Sequence, residues 1–279
     1  MGMKSLYESI LSSTHTGKAG EALKVVEWFK STRIYESFLK FGNQQRQSFF
    51  KSAEVKATPK GGYWIIDIDG NDGDNSVSID TVGFFKSDTP NGSGVLPYNI
   101  YCVRVNGKPT NISYQQLKFK DSIDMVQEVS KSVTFTGCAI GKLDRLPKGC
   151  TEVIVNYMHA ISGGYPTAIK EIKDIKLKKF IQSNTFNGGL SCLLSNVKNI
   201  TVTDEMYICD EMLGYYSLDK GNSKFKPEAS EMLTEFFKNN KVDPKICKFI
   251  PSDNNNTKSQ SGNIHFDEKA NIWRFKGDK

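Results

Sequence analysis

Along this chain the spacing of apolar positions changes more than once, and the most persistent pattern lies between Ser132 and Asp204. An alternating triplet recurs there as Val133-Thr134-Phe135, Val153-Ile154-Val155, Ile175-Lys176-Leu177 and Ile200-Thr201-Val202, with leading residues 20, 22 and 25 apart. Period-two alternation predicts strands, because successive side chains point to opposite faces. In the best-formed unit, Val133 to Gly149, the strand is followed by Ile140, Leu143 and Leu146 and then by a Pro147-Lys148-Gly149 turn. A strand with a returning apolar arc, repeated at this period, predicts stacked units that share one core. A meander of edge-paired strands is the alternative.

Upstream the period is helical. Leu6 with Ile10 and Tyr7 with Leu11 make a short amphipathic stretch over residues 4–12, too short to stand alone in water. Ser12 to Gly17 breaks it. A second helix is expected over residues 19–30 with Leu23, Val26 and Phe29 inward. Ser31-Thr32 is expected to cap a third, aligning Ile34, Phe38 and Phe41, and Tyr35 with Leu39. From Phe49 the period becomes two. Residues 63–69 read as a strand with residues 77–80 as a possible partner. Residues 99–105 read as another, closed by an Asn106-Gly107 turn with residues 112–119 as its return. Downstream, Pro227 opens a helix ending near Asn239, residues 246–250 read as a strand, and residues 264–266 and 272–275 as a terminal hairpin. Between them, residues 252–263 read as a polar, mobile loop. The expected organisation is a helical docking module over 1–50, a β-rich leading cap over 51–130, the stacked units over 131–215 and an α/β cap over 216–279.

Composition narrows the partners. The chain has 279 residues, 38% of them hydrophobic, and a net charge of +6 carried by lysines among 31 acidic residues. The densest basic run, Lys170 to Lys179, contains Glu171 and Asp174 and reads as a solvated strand edge, which argues against nucleic acid. The six cysteines form no CxxC pair and there are three histidines, so no zinc site or cofactor is expected. Cys138 and Cys150 are expected as small buried residues. No apolar run has the length of a membrane span, the opening lacks a secretory core, and synthesis in the cytoplasm without disulfides is expected.

The catalytic and ligand motifs are incomplete. Thr16-Gly17-Lys18-Ala19 lacks the strand and hydroxyl of a phosphate loop. Asp67-x-Asp69-x-Asn71 starts like a calcium loop, but Asp72 stands where glycine belongs and Ser78 where a bidentate carboxylate belongs. His159 could meet Cys138 or Cys150 only through the fold, and reads as structural. What remains is a surface. With Val133, Phe135, Val153, Val155, Ile175, Leu177, Ile200 and Val202 inward, the outward set is Thr134, Thr136, Glu152, Ile154, Asn156, Lys176, Lys178, Thr201 and Thr203, a face suited to protein or glycan contact.

Two stretches carry a resemblance. The opening Lys4-Ser-Leu-Tyr-Glu-Ser-Ile-Leu-Ser-Ser-Thr-His-Thr-Gly-Lys18 resembles that of virion-associated proteins of Bacteroidales-infecting, crAss-like phages. The run Val133 to Ile140, continued by Leu143-Asp-Arg-Leu146-Pro-Lys-Gly-Cys-Thr-Glu-Val-Ile-Val155, is similar to repeat arrays of that group and to BspA-type leucine-rich repeats. The usual Leu-Thr-Ser-Leu step is Leu143-Asp-Arg-Leu146 here, and regularity decays after Ile161. The resemblance implies an α+β fold, a short degenerate leucine-rich-repeat-like solenoid with N-terminal helices and an α/β C-terminal cap. It implies a non-enzymatic structural or adhesion protein of the virion. Leu6, Tyr7, Ile10 and Leu11 would dock it to other virion proteins, and the strand face would meet a host-surface protein or glycan. An intracellular scaffold acting on a bacterial host protein is the alternative, and an enzyme whose site forms only in three dimensions is the third.

Overall fold

The computed structural model describes residues 19–41, 43–71, 79–120, 122–157, 168–184, 193–209, 214–215, 224–225, 229–250 and 264–275. Leu6, Tyr7, Ile10 and Leu11 lie outside the described residues, as do Gly17, Lys18, Asp72, Val77, Ser78, His159 and the 252–263 loop.

Three helices open the described chain: α1 (residues 19–30), α2 (Arg33–Phe41) and α3 (Gln44–Ser52). The inward faces differ from expectation. Leu23 is 64% exposed and Phe41 82%, while Val25, Phe29 and Tyr35 are buried. A further helix not anticipated as separate, α3, brings Phe49 and Phe50 against α2. Phe50 stacks on Phe38 at 4.6 Å and meets Tyr35 edge-on at 5.2 Å, and Tyr35 meets Phe29 at 5.7 Å. Thr32 does not cap α2 with its hydroxyl, which donates back to the Phe29 carbonyl at 2.6 Å. The first-turn amide of Arg33 instead donates to Asp88 Oδ1 at 2.7 Å. Asp88 also accepts from the Phe85 amide, and its carbonyl accepts from the Trp28 indole, so one residue fastens the helices to the first strand of the main sheet.

β1 (Glu54–Lys60) and β2 (Tyr63–Asp69) form an antiparallel hairpin. Gly61 and Gly62, at φ of 56° and 84°, supply the left-handed turn such a hairpin needs. The partner expected at residues 77–80 is displaced: Ile79 and Asp80 are not strand, and β2 pairs with β1 on one side and, after β3 (Thr81–Phe85), with β4 (Ile100–Val105) on the other. The Asn106-Gly107 turn forms as expected, but its return is only β5 (Lys108–Pro109). The chain then crosses to a different sheet.

From Asn111 two kinds of strand alternate. β6 (Asn111–Gln115) is followed by β7 (Lys118–Phe119), β8 (Ser132–Thr136) by β9 (Ala139–Ile140), and β10 (Glu152–Tyr157) by β11 (Ala168–Ile169) and β12 (Ile172–Lys173). β13 (Lys176–Asn184) is followed by β14 (Val197–Lys198), and β15 (Thr201–Cys209) closes the series. β3, β6, β8, β10, β13 and β15 lie side by side, all parallel, in one sheet. The short strands pair in parallel among themselves on the returning side, β7 with β9, β9 with β11, and β12 with β14. Because β3 and β6 belong to the same sheet as β8, the boundary expected at residue 131 falls inside it.

Register places Val82, Ile112, Val133, Val153, Phe180 and Met206 in one inward row, all at most 1% exposed. A second inward row runs Phe84, Tyr114, Phe135, Val155, Gln182 and Ile208. Tyr114 and Phe135 stack at 5.6 Å, and the Val126 amide donates to the buried Tyr114 hydroxyl at 2.9 Å. Fully burying each such aliphatic or aromatic side chain contributes about 1.5–3 kcal/mol. The expected alignment of Ile175 and Ile200 with Val153 is corrected: Val153 lies opposite Phe180, and Phe180 opposite Met206. Ile175 and Ile200 are buried at the approach to their strands, each just after a residue in the left-handed region, Asp174 at φ 58° and Asn199 at φ 52°.

One lead-in geometry recurs. The Lys131 and Ser132 amides share Asn111 Oδ1, those of Thr151 and Glu152 share the Lys131 carbonyl, and those of Lys178 and Lys179 share the Thr151 carbonyl. Where the turns touch there is no room for a side chain: a Cβ on Gly141 would overlap the Lys120 carbonyl oxygen.

Past two short paired strands, β16 (Gly214–Tyr215) and β17 (Lys224–Phe225), α4 (Ala229–Asn239) buries Leu233 and Phe236. A last parallel strand beside β15 comes in two pieces, β18 (Lys241–Val242) and β19 (Cys247–Ile250). The hairpin of β20 (Ile264–Asp267) and β21 (Ile272–Phe275) seats Trp273 against Phe237, Phe249 and Phe266. The described residues are a mixed α+β fold dominated by one parallel sheet.

Candidate functional site

The outward side chains of the main sheet fall into three rows set by strand register. The middle row is Gly83, Ser113, Thr134, Ile154, Ile181 and Tyr207, with Lys248 beyond it. A second row toward the strand ends holds Gln115, Thr136 and Asn156, where the Asn156 amide donates to Thr136 Oγ1 at 3.2 Å. A third row toward the strand starts holds Ser132, Glu152, Lys179 and Glu205. Thr134, Thr136, Glu152, Ile154 and Asn156 are therefore neighbours on one half-exposed surface.

Lys176, Lys178, Thr201 and Thr203 belong nearer the strand starts. Lys176 lies opposite Thr201, and Thr201 opposite Lys241. An irregularity between Leu177 and Lys179 separates this group from the middle row, so the expected face is two adjoining patches. Lys179, Ile181, Glu205 and Tyr207, which extend the first patch, did not emerge from the sequence, because the triplets at Ile175 and Ile200 set the strands several residues too early; Ser113 joins from β6 and Lys248 from β19.

Charge is concentrated at the far end. Glu205 accepts from Lys179 at 3.0 Å, from Lys248 at 3.2 Å and from the Tyr207 hydroxyl at 3.1 Å. The Lys179 hydrogen bond, followed by those of Lys248 and Tyr207, holds the Glu205 carboxyl down at about 2. Both ammonium groups also lie near the Tyr207 ring, Lys179 at 5.1 Å and Lys248 at 5.4 Å from its centroid. One strand earlier, Lys131 pairs with Glu152 at 2.8 Å. At the opposite end the Arg33 guanidinium lies 5.2 Å from the centre of the Phe85 ring, which covers Gly83.

Cys138 and Cys150 are buried, their thiols donate to backbone carbonyls, and burial pushes each up to about 11. Asp67 is gripped by Arg104 through two hydrogen bonds of 2.6 and 2.9 Å, so both its oxygens are engaged rather than offered to a cation. No group of three or more His, Cys, Asp or Glu converges on a metal position among the described residues. No described helix is long and apolar enough to cross a membrane. A cavity of about 410 Å³ opens beside β7, walled by Val95, Leu96, Tyr98 and Phe119. Its one carboxylate, Asp124, accepts from the Lys120 amide.

Comparison with protein-family models, with curated proteins and with solved structures finds no match for this chain.

Proposed function

We propose that the parallel sheet is the strand face of a short leucine-rich-repeat-like solenoid. On this reading the protein is a non-enzymatic binding component that docks to a phage particle through residues 4–12 and offers this face to a host-surface protein or glycan. The observation that carries the reading is register: β6, β8, β10, β13 and β15 align so that outward side chains form continuous rows. The recurring lead-in hydrogen bonds and the parallel strands on the returning side are what stacked units would produce. The particle assignment rests on the likeness of residues 4–18 and 133–155. Mass spectrometry of purified particles tests it, for the full chain and for one lacking residues 1–18. Recovery of the full chain, and loss of the shortened chain from particles while it still unfolds at the same temperature, supports the reading. Equal recovery of both, or absence of the full chain, overturns it.

A further inference from the structure

We infer that the patch formed by β13, β15, β18 and β19 binds an acidic glycan, a deepening that rests on the contact-face reading above. Register brings together lysines that are distant in sequence: Lys176 and Lys241 flank Thr201, while Lys178, Lys179 and Lys248 lie on the same strands. Five lysines there face Asp204, Glu205 and Asp243. Glu205 is held by Lys179 and Lys248, Asp204 accepts from the Thr203 hydroxyl, and Asp243 accepts from the Lys245 amide. Lys176, Lys178 and Lys241 are exposed and carry no ion pair among the described residues. The solvated basic run of the sequence is thus half of a positive surface whose other half arrives from β18 and β19.

The charge and shape select among polyanions. Parallel strands spaced about 4.8 Å apart make the patch roughly 10 Å wide from β13 to the last strand. Duplex DNA presents one charge per roughly 1.7 Å, or about six over that width, more than three unpaired lysines answer. A glycan with a carboxylate or sulfate on some of its sugars matches them better. Its hydroxyls find Thr201 and Thr203 on the same strands. A protein partner would look for aromatic or arginine anchors, and these strands carry no arginine.

The test uses the full chain against an immobilised polyuronate, a sulfated dextran, neutral dextran and duplex DNA, between about 50 and 200 mM salt. Both acidic glycans should retain the protein, more weakly as salt rises, and neutral dextran should not. The triple substitution Lys176→Gln, Lys178→Gln, Lys241→Gln should weaken retention about tenfold or more without moving the unfolding midpoint. Lys24→Gln, Lys30→Gln, Lys51→Gln, which removes equal charge from the helical module, should leave it unchanged. Absence of retention, equal loss in both triple variants, or tighter retention on DNA overturns the proposal. Glycan retention with no chain on purified particles sinks the particle reading alone. Retention on neutral dextran that Thr134→Arg abolishes and the lysine triple spares sinks the acidic-glycan proposal and leaves the face.

Discussion

Gln182 stands in the second inward row, between Val155 and Ile208, fully buried. Neither its carbonyl oxygen nor its amide nitrogen has a hydrogen-bond partner among the described residues. Asn240 shows what satisfaction looks like: its oxygen accepts from the Ile200 amide, and its nitrogen donates to the Val197 and Phe236 carbonyls. A buried amide left unpaired costs about 1–3 kcal/mol. Gln182→Leu is therefore expected to stabilise the protein by about that amount, raising the unfolding midpoint by roughly 2–4 °C per kcal/mol. A lower midpoint in a calorimetric scan would show that the amide has a partner and that the row is misassigned.

The same residue explains how the sequence misleads at the scale of elements. Val133-Thr134-Phe135 and Val153-Ile154-Val155 are legible because their inward positions are apolar. In β13 the equivalent positions are Phe180 and Gln182, so the polar glutamine masks the alternation, and the cleaner Ile175-Lys176-Leu177 draws the alignment. β1 was missed because Lys56, Thr58 and Pro59 dilute its pattern, although Gly61-Gly62 marks its turn. Between β13, β15 and β19 ion pairs add to the strand pairing, and they carry a pH dependence. The Glu205 carboxyl is depressed to about 2 from its ordinary 4.5, so its contribution is fully present above pH 4.5 and fades as pH falls toward 2. Thermal melts of the wild type and Glu205→Gln should therefore differ at pH 6, converge below pH 4.5 and coincide near pH 2. A gap that stays constant over this range would mean that the ion pairs do not stabilise the strands.

For the whole molecule, the legible part of the site was the part where sequence neighbours stay neighbours. Thr134, Thr136, Glu152, Ile154 and Asn156 come from two adjacent strands that share a 20-residue spacing. Lys241, Lys248 and Tyr207 reach the face through a helix, a two-piece strand and a shifted register, and no local spacing announces them. The wider account stands on that register. Methyl-labelled nuclear magnetic resonance reads it directly, since side chains opposite each other across a parallel pair exchange magnetisation. Contacts between Ile154 and Ile181 methyls, and between those of Val133 and Val153, are the expected result. Contacts from Val153 to Ile175, with none between Ile154 and Ile181, would contradict the sheet described here and the face built on it.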